Sequence, residues 1–490
     1  MSSLRVYNTL TREKEPFVPV HAGRVGIYLC GPTVYKPPHI GHLVGPVIFD
    51  AIKRYLVFKG FEVAWVINVT DMDDKIIDEA QRRGISFTQL AEEQTKLYFD
   101  VLDEIGVKQS VDRFPKASEH MPEIIDMIAR LIEKKHAYAT EGGNVWFDAA
   151  SDADYGKLSN RKLDDQEAGL RDLAGSGKNH PADFALWKAT KPGEPAWDSP
   201  WGRGRPGWHI ECSAMSIKYL GDTFDIHGGG DDLKFPHHEN ELAQSECCTG
   251  KPFAKYWMHN GLTRIKTKAA SGDWKSEKMS KSLGNAVGAR ELLDTHGPDV
   301  IRYLLLSSHY RSPIEFSDDA LLNAKKAVGV FTRLVHRTDA IASADLKANV
   351  ATPAMVENIA SPFEQKFTAS MDDDFNTAGA IASLHELAGA MNAMIEKSGV
   401  ESSHEGAASA GIALAATKFK QLAGLLGLTL KPVKHVDDTL ANDLMQLIIQ
   451  LRQTARAEKQ FAMADAIRNG LTKIGVTLED KKDGTVWRKD

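Results

Sequence analysis

The chain has 490 residues but few cysteines, no long apolar run and no excess of one charge. Its four cysteines, at positions 30, 212, 247 and 248, are too few and too unevenly spaced to cross-link a chain of this length, which excludes a disulfide-stapled secreted scaffold. Nowhere do about 18 apolar residues follow one another, and the first residues carry no apolar signal core. We therefore expect a cytoplasmic protein with no membrane partner.

The charge balance gives no direct indication of a partner either. Lysine and arginine number 60 against 66 aspartate and glutamate residues, which leaves a formal charge of −6. A nucleic acid would have to be bound by a local patch, and residues 452–490 offer one, with nine basic against six acidic side chains. With 42% hydrophobic residues, the chain can form several cores.

The first part of the chain predicts a strand, a helix and a second strand. Residues 24–30 form an apolar run that ends in a Gly- and Pro-rich turn, residues 40–58 show helical spacing, and residues 62–69 are again strand-like. Such a β-α-β unit builds parallel sheets with ligand sites at the carboxyl ends of the strands. Further along, the pattern predicts helix over 76–105, an insertion over 140–208, a strand and a helix at 223–226 and 236–248, and a helical bundle over 320–425.

Two histidines follow the first predicted strand, in His39-Ile40-Gly41-His42. The start of a helix attracts phosphate through its unpaired N–H groups, and two imidazoles three residues apart can donate to one oxyanion. Gly41 would leave room for a flat base. Taken alone, such a pair of loop histidines is more often structural or solvated.

Two lysines lie on a second loop, Lys278-Met279-Ser280-Lys281-Ser282. Lysine supplies a compact positive charge, so the loop suits a clamp on a triphosphate, although an exposed charged loop is the simpler interpretation of this segment alone. Both motifs in this order, on either side of a split parallel sheet, favour the catalytic interpretation. They are the HIGH and KMSKS signatures of the class I aminoacyl-tRNA synthetases, which this chain resembles.

A metal site is the third candidate. Cys30 and Cys212 could supply two thiolates, while His237 and Glu241, spaced i and i+4, would share one face of the predicted helix. Together they make a plausible tetrahedral zinc set, but the spacing matches no generic zinc motif and two buried core cysteines are the alternative. His238 is nearly as good a candidate as His237.

Further motifs make the resemblance specific. The chain is similar to the cysteinyl-tRNA synthetase family over nearly its whole length, in Cys30-Gly31-Pro32-Thr33-Val34-Tyr35, Asn68-Val69-Thr70-Asp71, Gly207-Trp208-His209-Ile210-Glu211-Cys212, His227-Gly228-Gly229-Gly230 and residues 235–241. The resemblance implies a cysteine–tRNA ligase, which joins cysteine and ATP to cysteinyl-adenylate and passes cysteine to the 3′-terminal ribose of tRNA(Cys).

The resemblance and the element pattern together predict an α/β fold. It would hold a split Rossmann-type parallel-sheet catalytic domain with an inserted connective domain, followed by an α-helical bundle and a small C-terminal anticodon-binding domain. The predicted ranges are 1–115 and 206–262 for the catalytic domain, 116–205 for the insertion, 263–320 for a KMSKS-bearing stem-contact region, 321–430 for the bundle and 431–490 for the anticodon-binding domain. We expect a monomer that binds ATP, L-cysteine and tRNA(Cys).

The family also implies a role for each motif residue. One zinc ion would be held by Cys30, Cys212, His237 and Glu241, and its preference for the substrate thiolate would separate cysteine from serine without an editing domain. The substrate cysteine would be surrounded by Cys30, Thr70, Trp208, His227 and Asp232. ATP with Mg²⁺ would be bound by His39, Gly41, His42, Lys278 and Lys281, of which the two histidines and two lysines are catalytic. The anticodon would be read by Arg456 and Asp465.

Some features depart from the family pattern. The approach to KMSKS, residues 264–277, is longer than expected and includes Ala269-Ala270-Ser271-Gly272, which predicts a flexible insertion; Cys247 and Cys248 match no role. Two rival functions stay open: a ligase that passes activated cysteine to an amino sugar and lacks an anticodon domain, and a non-catalytic zinc-dependent RNA-binding protein. The intact HIGH and KMSKS motifs, the helical region and the ending Gly484-Thr485-Val486-Trp487-Arg488 argue against them.

Overall fold

The structure is a computed structural model, and it describes residues 4–161, 177–191, 193–268, 274–278, 287–343, 360–398, 406–431, 438–481 and 484–489. The chain divides into two compact units, Met1–Leu430 and Lys431–Asp490. Among the described helices, none has the length and apolar character that a bilayer crossing requires. The domain boundaries predicted from the sequence stay predictions.

The regular elements follow in chain order. The strands are β1 (Arg5–Asn8), β2 (Glu13–Pro16), β3 (Arg24–Leu29), β4 (Glu62–Ile67), β5 (Ala137–Ala139), β6 (Val145–Phe147), β7 (Phe184–Ala189), β8 (Gly204–Pro206), β9 (Phe224–Gly230), β10 (Ala254–Asn260), β11 (Thr263–Lys268), β12 (Trp274–Lys278), β13 (Ile314–Phe316), β14 (Val476–Lys481) and β15 (Gly484–Lys489). The α-helices are α1 (Gly41–Phe58), α2 (Asp74–Arg83), α3 (Phe87–Glu104), α4 (Met121–Glu133), α5 (Trp208–Leu220), α6 (Glu239–Thr249), α7 (Ala289–His296), α8 (Pro298–Leu306), α9 (Asp318–Ser343), α10 (Ser361–Asp372), α11 (Thr377–Ser398), α12 (Gly406–Leu425), α13 (Asp438–Ala457) and α14 (Phe461–Lys473).

A four-stranded parallel sheet lies at the centre of the larger unit. Its strands lie side by side in the order β10-β9-β3-β4, and every neighbouring pair is parallel. Helix α1 connects β3 to β4 and buries most of its length, including Val47, Ile48 and Ile52. Each such aliphatic side chain contributes about 1.5–3 kcal/mol on burial, so the packing holds α1 firmly against the sheet. The predicted β-α-β unit is confirmed.

The point where a ligand can bind follows from the strand order. The chain leaves β3 toward β4 on one side and leaves β9 toward β10 on the other, so the direction of the connections reverses between β3 and β9. In open parallel sheets, ligands bind outside the carboxyl ends of the strands at such a reversal. The carboxyl ends of β3 and β9 are followed by Cys30 and by Asp231-Asp232, respectively.

The helix predicted over 76–105 is two helices. Gly84 ends α2 in the left-handed conformation with φ of 67°, and the Ser86 side chain then caps α3 by accepting from the backbone N–H of Gln89 at 3.1 Å. The long apolar period continued across this break, which is why the pattern predicted one helix.

The insertion between the two halves of the parallel sheet is itself a sheet. Strands β5 to β8 are antiparallel in the order β5-β6-β7-β8, and their core includes Phe147, Phe184 and Trp187 together with Ile124 of α4 and Ile210 of α5. The rings of Phe147 and Phe184 stack with centroids 4.8 Å apart. The last strand of this antiparallel sheet, β8, leads directly into α5, which therefore begins beside the parallel sheet.

After β10 the chain forms a three-stranded sheet and then a helical region. The sheet has the order β12-β11-β13, and its β11–β12 hairpin pairs Arg264 with Lys278. Much of the approach to KMSKS is therefore a hairpin, while the predicted flexible insertion at 269–272 lies outside the described residues. Helices α9 to α12 share one apolar core with α1, in which Phe331, Leu384 and Phe419 are fully buried. The predicted helical region is confirmed.

A buried arginine on α8 joins this helical region to α1. The Arg302 guanidinium bonds Asp50 in the middle of α1, and it also donates to the backbone oxygens of Ile105 at 2.8 Å and Leu426 at 3.1 Å. Arg54 donates to the same Asp50 oxygen at 2.8 Å. The side chains of Arg302 and Asp50 are 1% and 0% exposed, so this ion pair is out of water.

The second unit is a small helix-and-hairpin fold. Helices α13 and α14 pack with the β14–β15 hairpin around a core of Met445, Ile449, Leu471, Val476 and Leu478. Arg452 reaches across to Asp480 with two hydrogen bonds of 2.8 and 2.9 Å, which ties α13 to the hairpin.

Candidate functional site

A pocket of about 470 Å³ opens at the carboxyl ends of β3 and β9. Its lining combines the end of β3, the start of α1 and the segment after β9, and includes Cys30, Tyr35, His39, Gly41, His42, Lys75, Trp208, Gly229, Gly230, Asp232 and Asn260. The pocket therefore lies where the strand order predicts a ligand site. Five of the residues predicted for substrate or ATP, other than Cys30, line it: His39, Gly41, His42, Trp208 and Asp232.

The two histidines of the first motif stack on each other at the start of α1. Their ring centroids are 4.0 Å apart with an interplanar angle of 28°. The backbone N–H of Gly41 donates to Nδ1 of His39 at 3.0 Å, and the backbone N–H of His39 donates to Nδ1 of His42 at 3.4 Å. Because Nδ1 accepts in both neutral rings, the proton of each lies on Nε2, where it can be donated to a ligand oxygen.

The segment that follows the second motif is hydrogen-bonded to the first motif. Ile40 N–H donates to the Val287 oxygen at 3.1 Å, and Ala289 N–H donates to the Pro38 oxygen at 3.0 Å. His39 and Gly288 form an antiparallel bridge. The backbone of Lys278 ends β12, whereas Lys281 lies outside the described residues. Backbone hydrogen bonds thus join the first motif to residues 287–289, which follow the second motif in the sequence.

Next to the pocket, four side chains meet that could hold a metal ion, and Cys30, one of them, also lines the pocket. One ligand atom from each of Cys30, Cys212, His237 and Glu241 lies within 4.8 Å of the others. Nε2 of His237 is 2.9 Å from Oε1 of Glu241, and Sγ of Cys30 is 3.3 Å from the same oxygen. A π-helical turn at Lys234–His238 precedes α6 and places His237 beside Glu241. The predicted quartet is therefore brought together, and its donor set fits a metal.

The same turn also presents His238 to the cluster. A second group of Cys30, His227, His238 and Glu241 meets the same 4.8 Å limit. His238 and His227 are both fully buried, and Nε2 of His238 lies 4.0 Å from Oε1 of Glu241. The sequence-based ambiguity between His237 and His238 thus has a structural basis, since both imidazoles face one carboxylate.

Charges inside the cluster change the protonation of its members. Burial lowers the pKa of His237, but the negative charge of Glu241 and hydrogen bonds that the imidazole donates to Cys212 and Glu241 raise it to about 10. Burial likewise raises the pKa of Glu241, but the charges of His237 and His227 bring it well below its usual range. The pKa of the Cys30 thiol is raised well above normal by burial and by the neighbouring Cys212. Without a metal, His237 and Glu241 therefore form a buried ion pair.

Aromatic rings hold the imidazoles in place. Trp208, which lines the pocket, stacks on His237 with centroids 4.0 Å apart, and Trp257 stacks on His227 at 4.4 Å. Nε2 of His227 lies 2.8 Å from Oε2 of Glu241. Trp208 therefore lines the pocket and at the same time contacts the buried cluster.

Two of the predicted substrate residues lie behind the lining rather than in it. Thr70 is 1% exposed and pairs through its backbone with Thr33, which lines the pocket, while its Oγ1 accepts from the Asn68 amide at 3.3 Å. His227 is directed at Glu241. Their predicted roles toward the amino acid stay predictions.

Several residues of the site were not singled out from the sequence. Nδ1 of His209 lies 2.9 Å from Nδ1 of His237, and Nε2 of His259 lies 2.8 Å from Nδ1 of His238. Burial, together with the charge of His237, lowers the pKa of His209 well below normal, so His209 is neutral and accepts from His237. Glu211, next to Cys212, is fully buried, and burial raises its pKa well above the usual range. His209 and Glu211 belong to the motif Gly207–Cys212 and could have been found from it, whereas no sequence motif surrounds His259.

The predicted anticodon residues lie in the second unit. Arg456 is on α13 and donates to Asp480 at 3.1 Å, while Asp465 is exposed on α14. Arg468 follows Asp465 by three residues on the same helix and is also exposed, and Phe461 at the start of α14 exposes 60% of its surface. An exposed acid, base and ring on one short helix are chemically suited to bases and phosphates, but their roles stay predictions.

Comparison with known families covers most of the chain. Residues 16–326 match the family described as tRNA synthetases class I (C) catalytic domain, residues 366–431 match the DALR domain, and residues 445–488 match the cysteinyl-tRNA ligase anticodon binding domain. The last match argues against the rival that lacks an anticodon domain.

Full-length relatives and solved structures agree with this. Proteins named cysteine–tRNA ligase from Heliobacterium modesticaldum and Carboxydothermus hydrogenoformans are 48% and 45% identical, and each alignment covers 99% of this chain and 100% of the relative. A crystal structure of Mycobacterium tuberculosis methionyl-tRNA synthetase bound by methionyl-adenylate superimposes with a TM-score of 0.62, covering 83% of this chain and 92% of that one at 15% identity, a likeness of fold alone. With its parallel sheet, HIGH pocket and buried cysteine cluster, the chain belongs to the cysteine–tRNA ligase family of the class I synthetases.

Proposed function

We propose that the pocket binds ATP and L-cysteine side by side and joins them to cysteinyl-adenylate, after which cysteine is passed to the terminal ribose of tRNA(Cys). One observation carries the proposal: a single pocket is lined both by the His39–His42 pair and by Cys30 with Trp208, which adjoin the buried Cys/His/Glu group. One cavity of substrate size is therefore bordered by a helix start suited to phosphate and by a cluster suited to a thiol.

The metal of the cluster is zinc in this proposal. Two thiols, one imidazole and one carboxylate, supplied by Cys30, Cys212, His237 and Glu241, form the mixed soft and hard set typical of tetrahedral zinc, and all four are close enough for small side-chain shifts to complete it. Bound zinc would supply a Lewis acid that prefers the thiolate of cysteine to the hydroxyl of serine. His209 accepts from Nδ1 of His237 and so leaves Nε2 of that ring directed at the cluster.

The residues around Trp208 then hold the substrate cysteine. Cys30 and Trp208 border the thiol end, and Asp232, at the edge of the pocket after β9, supplies a carboxylate for the α-ammonium group. Thr70 and His227 support this end from behind the lining. Holding the carboxylate of cysteine near the α-phosphate lowers the entropy cost of the reaction.

ATP binds at the start of α1. His39 and His42 donate from Nε2 to the α-phosphate and the ribose, and the first N–H groups of α1 add their partial positive charge. The cysteine carboxylate attacks the α-phosphorus, a new C–O–P link forms, and the bond to the β-phosphate breaks to release Mg²⁺-bound pyrophosphate. Lys278 and Lys281 neutralise the charge that moves onto this leaving group.

Transfer to tRNA completes the cycle. The 2′-OH of the terminal ribose attacks the carbonyl carbon of the adenylate and gives up its proton to solvent or to the departing phosphate; an ester bond forms, and the bond from the carbonyl carbon to the phosphate oxygen breaks so that AMP leaves with its electrons. Recognition of the anticodon belongs to the second unit, where Arg456 and Asp465 read bases and backbone. The positive balance of residues 452–490 supports an RNA partner at this end of the chain.

The activation step is tested by cysteine-dependent ATP–pyrophosphate exchange. We expect Cys212→Ser to abolish exchange and Lys281→Ala to slow it strongly, whereas Cys248→Ser, a change at another fully buried cysteine, serves as the matched control and leaves exchange intact. Exchange that survives both zinc removal and Cys212→Ser would show that no metal is needed.

Charging of tRNA(Cys) tests the partner. Deletion of residues 431–490, which form their own compact unit, should leave exchange in place and remove charging. Within the full chain, Asp465→Ala should raise the activation free energy of charging by about 1–3 kcal/mol, a loss of roughly 5- to 150-fold in rate, while Asp443→Ala, also exposed but on α13, is the control. A chain that makes the adenylate but charges no tRNA would instead support transfer to an amino sugar.

A further inference from the structure

The buried cluster contains more metal ligands than one ion needs. Besides the quartet assigned to zinc above, Cys30, His227, His238 and Glu241 form a second quartet whose ligand atoms all lie within 4.8 Å of one another. The two quartets share Cys30 and Glu241 and differ in the other two members. Ligand atoms around a tetrahedral zinc ion are about 3.3–3.8 Å apart, so either quartet closes on an ion with small movements.

Glu241 has the geometry of a bridging carboxylate. Its Oε1 lies 2.9 Å from Nε2 of His237, in the first quartet, and its Oε2 lies 2.8 Å from Nε2 of His227, in the second. Each oxygen therefore faces an imidazole of a different quartet. In two-metal sites, a carboxylate used in this way joins ions about 3.5–4 Å apart.

Cys30 can serve both quartets as well. Its sulfur lies 3.3 Å from Oε1 of Glu241. Thiolate sulfur is a ligand that zinc, cadmium and cobalt all accept. Because Cys30 lines the substrate pocket, an ion can reach the second quartet from solvent through the pocket.

His238 is held in the way that ligating histidines are held. Its Nδ1 lies 2.8 Å from Nε2 of His259, and Nδ1 of His259 lies 2.9 Å from Oγ1 of Thr9. An outer partner on one nitrogen fixes the ring and leaves the other nitrogen for the metal. That other nitrogen, Nε2, is fully buried and makes no hydrogen bond among the described residues. A buried polar atom in this state is costly, and an ion beside it would remove the cost.

We propose that Cys30, His227, His238 and Glu241 form a second metal site, which takes a further Zn²⁺ or Cd²⁺ ion when such ions are in excess and shares Cys30 and Glu241 with the first. The inference rests on the proposed function only for the identity of the first site. Two ions that share two ligands repel each other, so the second ion binds more weakly than the first. It also weakens the hold of the shared ligands on the first ion, which makes excess zinc a reversible inhibitor of cysteine activation.

Metal content at controlled zinc activity tests the proposal. The full chain, stripped with a chelator, is dialysed against buffers of rising free zinc, and bound zinc is measured by mass spectrometry. The expected curve reaches one equivalent and then a second, and the loss of exchange activity follows the second. A curve that stops at one equivalent overturns the proposal.

Variants assign the second equivalent to its ligands. We expect His238→Gln to lower the affinity for the second ion by more than about 100-fold and to leave the affinity for the first ion unchanged. His259→Gln, a change at the hydrogen-bond partner of His238, should lower the affinity for the second ion about 10- to 100-fold. Cys212→Ser should lose the first ion, because Cys212 belongs only to the first quartet. A failure of the first site can therefore be told apart from a failure of the second. Cys247→Ser is the control for a partly buried thiol outside the cluster. A folded His238→Gln protein that still binds two ions with wild-type affinity overturns the proposal, as does loss of the second ion in Cys247→Ser.

Cobalt gives a readout that needs no variant. Because Cys30 is a ligand of the second ion, the second equivalent of Co²⁺ should change the thiolate-to-metal charge-transfer absorption as well as the ligand-field bands. A second equivalent that leaves the charge-transfer absorption unchanged binds elsewhere and overturns the proposal, even where His238→Gln fails to fold.

Discussion

Gly41 offers a direct test of how the first motif works. A Cβ atom added at this residue would lie 2.7 Å from Cε1 and 2.9 Å from Nδ1 of His39. Both distances are too short for non-bonded atoms, so the Gly41→Ala substitution must turn the His39 ring away. The ring would lose the 3.0 Å hydrogen bond from Gly41 N–H that sets its tautomer.

The size of the effect follows from what His39 does in the proposed reaction. If its Nε2–H stabilises charge on the α-phosphate, removing that donor costs about 2.7–4 kcal/mol, or 10²- to 10³-fold in rate. Stability should move little, because alanine at the start of a helix changes the free energy of unfolding by less than about 1 kcal/mol relative to glycine. Cysteine-dependent exchange and urea unfolding are therefore measured on the same preparation. Gly389→Ala, on α11 with no atom within 4 Å of the added Cβ, is the control.

A double-mutant cycle separates this account from direct blocking of the adenine base. In a His39→Ala background the displaced ring is absent, so Gly41→Ala should lower exchange by no more than about twofold, within the additivity error of 0.3–0.5 kcal/mol. If Gly41→Ala costs as much in that background as in the wild type, the methyl group acts on ATP itself. Wild-type exchange in Gly41→Ala would refute the role given to His39.

Two further predictions concern protonation and stability. Because the pKa of His237 is raised to about 10 in the metal-free protein, zinc must displace a proton at any pH below that value, at a cost near pH 7 of about 4 kcal/mol. Zinc affinity measured by chelator competition should therefore rise about tenfold per pH unit between pH 6 and 8 for each proton displaced, and a flat profile would contradict the His237–Glu241 ion pair. Arg302→Met removes the buried partner of Asp50 while Arg54 stays, so we expect a loss of about 3 kcal/mol in urea unfolding, at the lower end for broken buried pairs. Arg290→Met, at an ion pair with 55% exposed side chains, should cost at most about 1 kcal/mol, and equal losses for the two variants would contradict this reasoning.

The parallel sheet was predictable because its information is local. The apolar run before Cys30, the helical period of α1 and the strand at 62–67 each stand in one short segment, and the β-α-β rule then places their ends together. The prediction failed between α2 and α3, where the helical spacing of apolar residues continues across the break in the helix. Gly84 and Ser86 carry ordinary capping signals, yet the apolar positions on both sides kept one helical phase.

The metal cluster was predictable only in part. His237 and Glu241 are one turn apart, so their meeting follows from helix geometry, whereas Cys30 and Cys212 join them through the sheet and α5. His259 enters from β10 and contacts His238 only because two strands run parallel at the correct register. No spacing in the sequence encodes such a contact, since it depends on the order of strands.

Helix α1 has two attachments that are about 14 Å apart, since nine residues separate Gly41 from Asp50 and each adds about 1.5 Å. The HIGH histidines lie at its start, and near its middle Asp50 binds Arg302, which also donates to the backbone oxygen of Leu426 just after the end of α12. A packed helix moves as a rigid rod over this length. A shift of the helical region would therefore reach the His39–His42 end of the pocket as well, so that, if ATP binds there as proposed, packing in the helical region and alignment of the small substrate are mechanically coupled.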